Sequence, residues 1–575
     1  MSSLPAQLLH HAATRPDATA LRDKHRGVWR ETTWGQYADR AAHAGLGLLE
    51  LGVEPGDVVA IHAENRPEWV LADLGAQGVG AVVTGIYPTS PAAEVEYLLS
   101  HSETVVLIAE DEEQLDKALE VRERLPRLKR IVVMDPRNVR ELGSDPMLLT
   151  YAELEELGAR HERGAWEERV ERLNADDTAI VVYTSGTTGP PKGAMITHAN
   201  MVAAGAAFVQ IYDVSPDDEA LSYLPLCHIA ERLFSVIDAT AVGYVVNFGE
   251  GGESFAQDLR DVQPTFFLGV PRVWEKMMAG VEIRMADASR IKRAAYRWAL
   301  GKRNPLARAI LMPLREKLGL RRCRNAVSGA APIAPQVLEY FTRLGVPVRE
   351  GYGQTENTAV CTFTPPEDVR IGTVGRACPG VEIRIADDGE ILTRGAGVFK
   401  GYFKNPEATA DTVDADGWLH TGDIGVLDGD GFLTITDRKK DIIITAGGKN
   451  ISPSEIENRL KVSPYVREAV IVGDRRKHLV ALIGIEADVV GDWATRRSLA
   501  FTTYRDLSAK DEVRELIAGV VDEVNRELAQ VETIKRFTLL EKELDHEDGE
   551  LTATLKVKRR AIEERFAGEI EALYA

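Results

Sequence analysis

Cysteine is scarce in this chain of 575 residues: the four present, Cys227, Cys323, Cys361 and Cys378, are scattered and never fall into CxxC spacing. That pattern excludes a zinc ribbon and a disulfide framework and leaves reduced thiols in or near the core. Long apolar runs are missing too. No stretch approaches the roughly 18–20 uncharged apolar residues that span a bilayer, which excludes an integral membrane protein. The opening MSSLPAQLLHHAATRPDATA lacks a basic leader followed by an apolar core, so no secretory signal is visible and a cytoplasmic location is expected. Positive charge is in deficit, with a formal net charge of −20. A phosphate backbone demands a basic surface, so non-specific nucleic-acid binding is excluded. GxSxG is absent, and with it the nucleophile elbow of serine-ester chemistry. No internal repeat or low-complexity tract stands out. What is left is ordinary globular composition, 44% hydrophobic and 27% charged, over a length that suggests about three or four compact units.

The most informative segment is Tyr183 to Gly193, YTSGTTGPPKG. It follows Ala179-Ile180-Val181-Val182-Tyr183, a β-branched run that predicts a buried strand. Gly186 and Gly189 let backbone N–H groups turn inward toward an anion. Thr184, Ser185, Thr187 and Thr188 add hydroxyl donors, and Lys192 brings a mobile positive charge. Together they read as a cradle for a triphosphate. This is not a Walker loop, which would place glycine at Pro191 and a hydroxyl residue at Gly193. Pro190 and Pro191 remove two N–H donors and favour extended backbone, so a second strand, Gly193 to Thr197, is predicted behind the loop. Thr197 then caps a helix running through Met201 to Ile211.

A second cluster, Arg349-Glu350-Gly351-Tyr352-Gly353-Gln354-Thr355-Glu356, has coherent chemistry. Tyr352 offers an aromatic face for an adenine ring, Gly351 and Gly353 admit close backbone approach, Thr355 can donate to an α-phosphate, and Glu356 is a hard oxygen ligand for Mg2+. In a third, Trp418-Leu419-His420-Thr421-Gly422-Asp423, the carboxylate of Asp423 can accept two hydrogen bonds from a ribose diol.

In this order the strings resemble the signatures of the acyl-adenylate-forming superfamily: acyl-CoA synthetases, the adenylation domains of nonribosomal peptide synthetases and the firefly-type luciferases. The resemblance spans residues 183 to 560 and implies further roles. Ser328, Gly329 and Ala330, in SGAAP, would line the adenine pocket together with Glu350 to Gly353. His228, in LPLCH, would border the acyl carboxylate in a positional role. Arg438, in DRKKD, would make a second contact to ribose or phosphate, and Lys440 would be the pivot of a mobile C-terminal domain. Gly447, Gly448 and Lys449 would shape a channel for the pantetheine arm of CoA. Lys556, in LTATLKVKRR, would be the adenylation lysine; the usual glycine before it is Leu555 here, and Lys558 is the alternative. Mg2+ held by Glu356 and Thr184, with ATP and CoA as substrates, completes the implied set.

Strand-like runs at 58–62, 81–86, 104–109 and 130–134 alternate with helical stretches such as 34–51 and 111–123, which predicts doubly wound α/β layers. The run from Gly380 to Tyr402 reads as an antiparallel meander. The expected fold is α/β: a large N-terminal domain, 1–439, with a small β subdomain at about 370–436, then a small mobile α+β C-terminal domain, 440–575, hinged near Lys440. The resemblance implies ATP-dependent ligation of a fatty acid to CoA through an acyl-adenylate, with release of AMP and pyrophosphate. LPLCHIAER, GVPRVWEKM and a long insertion ahead of SGAAP resemble the long-chain ligases. A fatty acyl-AMP ligase that loads a carrier protein, a CoA ligase for a medium-chain or other carboxylic acid, and a homodimeric state all stay open. That insertion, residues 290–324, holds twelve Lys or Arg and one acid, Glu316, interleaved with Trp298, Leu306 and Ile310. It reads as a basic amphipathic surface for peripheral contact with an anionic membrane.

Overall fold

The computed structural model describes residues 2–184, 190–252, 254–546, 548–552 and 556–575. A strand covered on both faces needs apolar side chains in both directions. Val58–His62, Val82–Ile86 and Thr104–Ala109 supply them and are buried at every position. They form the middle of an eight-stranded sheet in the order Gly401–Tyr402, Lys192–Thr197, Thr178–Thr184, Val82–Ile86, Val58–His62, Thr104–Ala109, Arg130–Val133, Leu148–Thr150. The last six run parallel, and the first two are antiparallel additions at one edge. Successive side chains on a strand face opposite sides. Val59, Ile61 and Val83 accordingly pack under helices Trp34–Glu50 and Pro67–Gly78, while Val58, Ala60 and Val82 pack under Ala92–Ser102 and Glu112–Val121. This is the doubly wound layering expected from the alternation.

A second sheet sets Phe266–Gly269, Asn325–Ser328 and Val348–Tyr352 in parallel and adds two short antiparallel strands, Thr362–Phe363 and Arg376–Ala377. A third joins Glu219–Ser222, Val245–Phe248, Thr19–His25 and Val28–Thr33. The β subdomain is a four-stranded antiparallel sheet, Val381–Ile385, Glu390–Gly395, Leu419–Leu427 and Leu433–Arg438. Tyr402 does not end that meander as expected. Gly401 and Tyr402 leave it to pair with Met195 and Ala194, covering an edge of the large sheet that would otherwise present bare N–H and C=O groups.

The C-terminal part packs Val466–Val472, Leu479–Ile485 and Ile534–Leu539 against helices Pro453–Lys461 and Asp511–Asn525. It is docked on the N-terminal part by polar contacts: Arg272 with Glu486, Arg496 with Asp287 at 2.9 and 3.0 Å, and Ser452 and Ser454 with Asp437 at 2.6 and 3.0 Å. His546 Nε2 lies 3.4 Å from Glu94 Oε2.

The basic insertion forms helices Arg290–Leu300 and Pro305–Lys317. Its tail departs from the expected solvent-facing surface. Arg324 pairs with Asp218, Arg322 with Glu219 and Arg321 with Glu316, because the chain here enters strand Asn325–Ser328 close to the acids flanking Glu219–Ser222. All four cysteines are buried and free. Among the described residues no helix is long and apolar enough to cross a membrane.

Candidate active site

The strands on either side of the cradle segment pair antiparallel, with Thr184 opposite Lys192. Ser185, Gly186, Thr187, Thr188 and Gly189 lie outside the described residues, as does Leu555. Behind the loop, Thr197 and Asn200 form a reciprocal capping box on helix His198–Ile211. The Asn200 amide also donates to the carbonyls of Ala396 and Val398 at 2.8 and 2.9 Å, tying this helix to the segment that carries Tyr402. The Tyr402 hydroxyl donates to Glu356 Oε1 at 2.6 Å, and Lys192 Nζ stands 5.0 Å from the centre of the Tyr402 ring. One tyrosine thus joins the cradle lysine to the candidate metal carboxylate, whose Oε2 has no hydrogen-bond partner among the described residues and suits a hard cation.

Parallel pairing sets Ser328 beside Glu350, so the SGAAP turn and the EGYG strand end run side by side. Ser328 Oγ is buried with no hydrogen-bond partner among the described residues, and Ala330 takes a left-handed φ of 69°. Burial pushes the Glu350 carboxyl up to about 8, which leaves it neutral at pH 7. A Cβ on Gly351 would fall 2.3 Å from the Phe363 ring, and one on Gly353 would fall 2.2 Å from the Ala359 carbonyl, so only glycine fits this close approach. Tyr352, expected to offer an open face, is only 9% exposed and packs with Cys361, Ile391 and Leu433. Its hydroxyl donates to Asp423 Oδ2 at 2.6 Å.

Asp423 is 5% exposed. Gln354 Nε2 donates to its Oδ2 at 2.7 Å and to the Thr421 carbonyl at 2.9 Å, while Arg438 Nε lies 3.3 Å from Oδ1. Thr355 and Glu356 follow in a short helical turn capped by Gln354 and Asn357. Gln354 and Tyr402 were not singled out from the sequence. Gln354 sits inside a motif whose neighbours have more obvious chemistry, and Tyr402 belongs to a two-residue strand with no periodic signal.

His228 caps helix Ile229–Arg232, and its Nδ1 accepts the Ala230 N–H at 3.1 Å. The ring proton is therefore on Nε2. Burial, helped by Lys556, holds the imidazole down to about 4, so it is neutral at pH 7. The loop carrying it is pinned from below. Asn65 Nδ2 donates to Ser222 Oγ and the Leu224 carbonyl, Leu226 N–H donates to Asn65 Oδ1, and Ser222 and Ser235 both donate to the buried Glu231.

Lys556 enters this cleft from the C-terminal part. Lys556 is exposed at its surface, yet desolvation by the surrounding protein is the largest influence on its ammonium and lowers it to about 8; Arg438 adds to the effect, while Asp423 and Glu356 oppose it. Lys558 acts electrostatically on His546 instead, lowering its imidazole slightly. The structure therefore brings Glu356, Asp423, Arg438, His228 and Lys556 together. It does not bring in Gly447, Gly448 and Lys449, which lie exposed in a turn whose bonds, among the described residues, stay within the C-terminal part. Lys440 is exposed in the turn after strand Leu433–Arg438. No cluster of three or more His, Cys, Asp or Glu suited to a metal occurs among the described residues. Glu356 Oε2 and the Thr184 hydroxyl fit Mg2+ only as the protein's share of a shell completed by phosphate oxygens and water.

Two comparisons of sequence and one of structure bear on the family and the fold. The model of the AMP-binding enzyme family matches residues 8–403, and that of the AMP-binding enzyme C-terminal domain matches residues 440–575. The chain is 35% identical to the long-chain-fatty-acid CoA ligase FadD15 of Mycobacterium bovis over 100% of this chain and 97% of that protein. It is 32% identical to the long-chain-fatty-acid CoA ligase ACSBG2 of Xenopus laevis, over 100% and 84% respectively. Among solved structures, the anthranilate CoA ligase AuaEII with anthranoyl-AMP superposes with a TM-score of 0.77 at 22% identity, covering 99% of this chain and 98% of that one. The A domain of the carboxylic acid reductase of Segniliparus rugosus, with AMP, superposes with a TM-score of 0.79 at 20% identity, covering 100% and 94%.

Proposed function

Because the chain belongs to the AMP-binding enzyme family, we propose that it joins a long-chain fatty acid to coenzyme A at the expense of ATP, through an acyl-adenylate. The observation that carries this reading is the meeting of Lys556 with Glu356, Asp423 and Arg438 across the two parts of the chain. A fatty-acid carboxylate oxygen attacks the α-phosphorus of ATP, the bond to the bridging oxygen breaks, and pyrophosphate leaves. The thiol of CoA then attacks the acyl carbonyl, AMP leaves, and the thiol proton passes to solvent.

No enzyme nucleophile is needed, so the protein's contribution is placement and electrostatics. Thr184 to Gly189 and Lys192 hold the triphosphate. Ser328 to Ala330 and Glu350 to Gly353 form the adenine pocket, where the neutral Glu350 carboxyl is able to donate a hydrogen bond. Asp423, steadied by Tyr352 and Gln354, accepts from the ribose diol, and Arg438 faces the ribose or phosphate side. Thr355 donates to the α-phosphate. Neutral His228 borders the fatty-acid carboxylate without taking its proton. Lys556 supplies positive charge where negative charge develops on the α-phosphate and departing pyrophosphate. Mg2+, when bound at Glu356 and Thr184 with ATP, neutralises phosphate charge and aligns the triphosphate. For the second half-reaction the C-terminal domain turns about Lys440, withdraws Lys556 and presents Gly447, Gly448 and Lys449 to the pantetheine arm.

The residues 290–324 give the enzyme a peripheral contact with anionic membrane, where its substrate partitions. The experiment that tests the reaction is pyrophosphate release across a fatty-acid length series with and without CoA. Release that depends on long chains, with CoA consumed in step, is the expected result. Release without CoA consumption, matched by acylation of a carrier protein, would replace CoA as acceptor.

A further inference from the structure

The helices Arg290–Leu300 and Pro305–Lys317 turn apolar residues outward as well as inward. In the first, Tyr296 and Ala299 are buried, yet Ile291 and Trp298 are 83% and 41% exposed and stand seven residues apart, on one face. In the second, Ala307 and Leu311 are buried, while Leu306 and Ile310 are 61% and 37% exposed at the i, i+4 spacing that again makes one face. A helix needs one apolar stripe to dock on its own domain. A second stripe left in water marks a surface for something else.

The charges say what that something is. Among the described residues the ion pairs of this basic run are confined to Arg321, Arg322 and Arg324. Nine basic side chains from Arg290 to Lys317 have no carboxylate at ion-pair distance among the described residues, and seven of them, all but Arg293 and Arg315, make no bond to a backbone carbonyl there either. At 100° per residue, Arg290 and Arg297 lie on one side of the Ile291–Trp298 face and Lys292 on the other. Residues 290–324 carry a net +11, which leaves −31 for the rest of the chain. An anionic lipid surface repels the remainder and attracts this hairpin, so charge alone orients the protein. A second copy docked through the same face would set cations against cations.

We propose that the two helices lie in the plane of an anionic bilayer, with Ile291, Trp298, Leu306 and Ile310 entering the boundary between headgroups and acyl chains and the flanking Arg and Lys reaching the phosphates. This rests on the peripheral contact proposed above and adds that the contact is insertion, not adsorption by charge alone. Long cationic side chains keep their heads at the phosphates while their stems cover apolar surface, and tryptophan suits the same boundary.

Flotation of the full-length protein with vesicles of phosphatidylcholine and phosphatidylglycerol, and with phosphatidylcholine alone, tests both parts. The protein should float with the anionic vesicles only. Lys292→Glu with Arg297→Glu should weaken partition by about 25-fold or more, since each cation near such a surface is worth roughly fivefold. Ile291→Ser with Trp298→Ser, which changes no charge, should weaken it by about tenfold or more. Lipids brominated in mid-chain should quench tryptophan emission of the wild type, and less so of Trp298→Phe. If the serine variant floats like the wild type and Trp298→Phe is quenched equally, insertion is overturned and electrostatic adsorption takes its place. If nothing floats, both the contact and the insertion fail. If, instead, self-association is found that the serine variant abolishes, the face belongs to a second copy. Ligase activity in vesicle-free buffer reports separately on the catalytic reading, because none of these residues belongs to the site.

Discussion

The alkaline behaviour of adenylation offers the sharpest test, because the Lys556 ammonium is held down to about 8 and acts only while charged. A group with that pKa is about 90% charged at pH 7 and about 10% at pH 9. Since kcat/KM for ATP reports the free enzyme, it should fall by about tenfold between those two values: the active form is the protonated one, present below the pKa and lost as pH rises through it. Bound triphosphate places negative charge beside the ammonium and raises its pKa, so kcat at saturating ATP should hold to higher pH. Glu350, pushed up to about 8 by burial, titrates in the same window and makes a necessary control. Glu350→Gln should leave the alkaline limb in place, whereas Lys556→Arg should move it beyond the accessible range. Lys556→Ala should remove the limb and slow pyrophosphate release by about a hundredfold, on the order of 3 kcal/mol for one charge-assisted contact made in the transition state. The same variant should form thioester from supplied acyl-adenylate nearly as fast as the wild type. A limb that persists in Lys556→Arg and vanishes in Glu350→Gln would transfer the effect to Glu350. Equal loss of both half-reactions in Lys556→Ala would refute the assignment altogether.

Lys440→Pro should spare pyrophosphate release, because the bonds of this turn are donated by Lys439 and Asp441, and should slow CoA consumption from supplied acyl-adenylate by about tenfold or more through its fixed φ; the reverse order of losses would exclude Lys440 as the pivot. Glu356→Gln should lower adenylation most at limiting Mg2+ and recover partly in excess Mg2+, since an amide is the poorer hard-cation ligand; wild-type rates at limiting Mg2+ would exclude Glu356 from the metal shell. Tyr402→Phe removes the hydrogen bond that steadies that carboxylate, a loss of about 1.5–3 kcal/mol for a bond to a charged group, and should raise the KM for Mg·ATP while leaving thioester formation from acyl-adenylate unaffected. The His546 imidazole is raised above its ordinary value, chiefly by Glu94, so its help in docking the C-terminal part is full below pH 6.5 and lost as pH rises through the raised value; hydrogen exchange around residues 540–552 should quicken over that window in the wild type and show no such pH step in Glu94→Gln.

Local physics made much of this molecule legible. Strands 58–62, 104–109 and 178–184 follow from β-branched runs, and the helix after Thr197 follows from a capping residue and a helical apolar pattern. The site motifs could be placed because each packs its chemistry into a few consecutive residues. What stayed hidden depends on partners far along the chain. Gln354 gains meaning only when Asp423 comes within 2.7 Å of its amide. The widened helical turn Leu233–Ile237, between His228 and helix Asp238–Val242, has no sequence signature at all. The basic run splits into a free part and an internally paired part because Asp218 and Glu219 lie about a hundred residues earlier. The docking of the C-terminal part through Arg272 and Arg496 joins side chains that look, in sequence, like any exposed arginine.

The short strand Gly401–Tyr402 also sets a timetable for synthesis. Until it emerges, Lys192–Thr197 is an uncovered edge of the large sheet, and an uncovered edge is a template for pairing with another chain. At ribosomal rates the 205 residues between Thr197 and Tyr402 take roughly 10–40 s to make. Over that interval the nascent protein carries a nearly complete sheet with one sticky margin, and the same two residues that close it deliver the tyrosine bonded to Glu356. Closure of the edge and the bond that steadies Glu356 therefore come from one event, and a chain cut short before residue 401 would lack both.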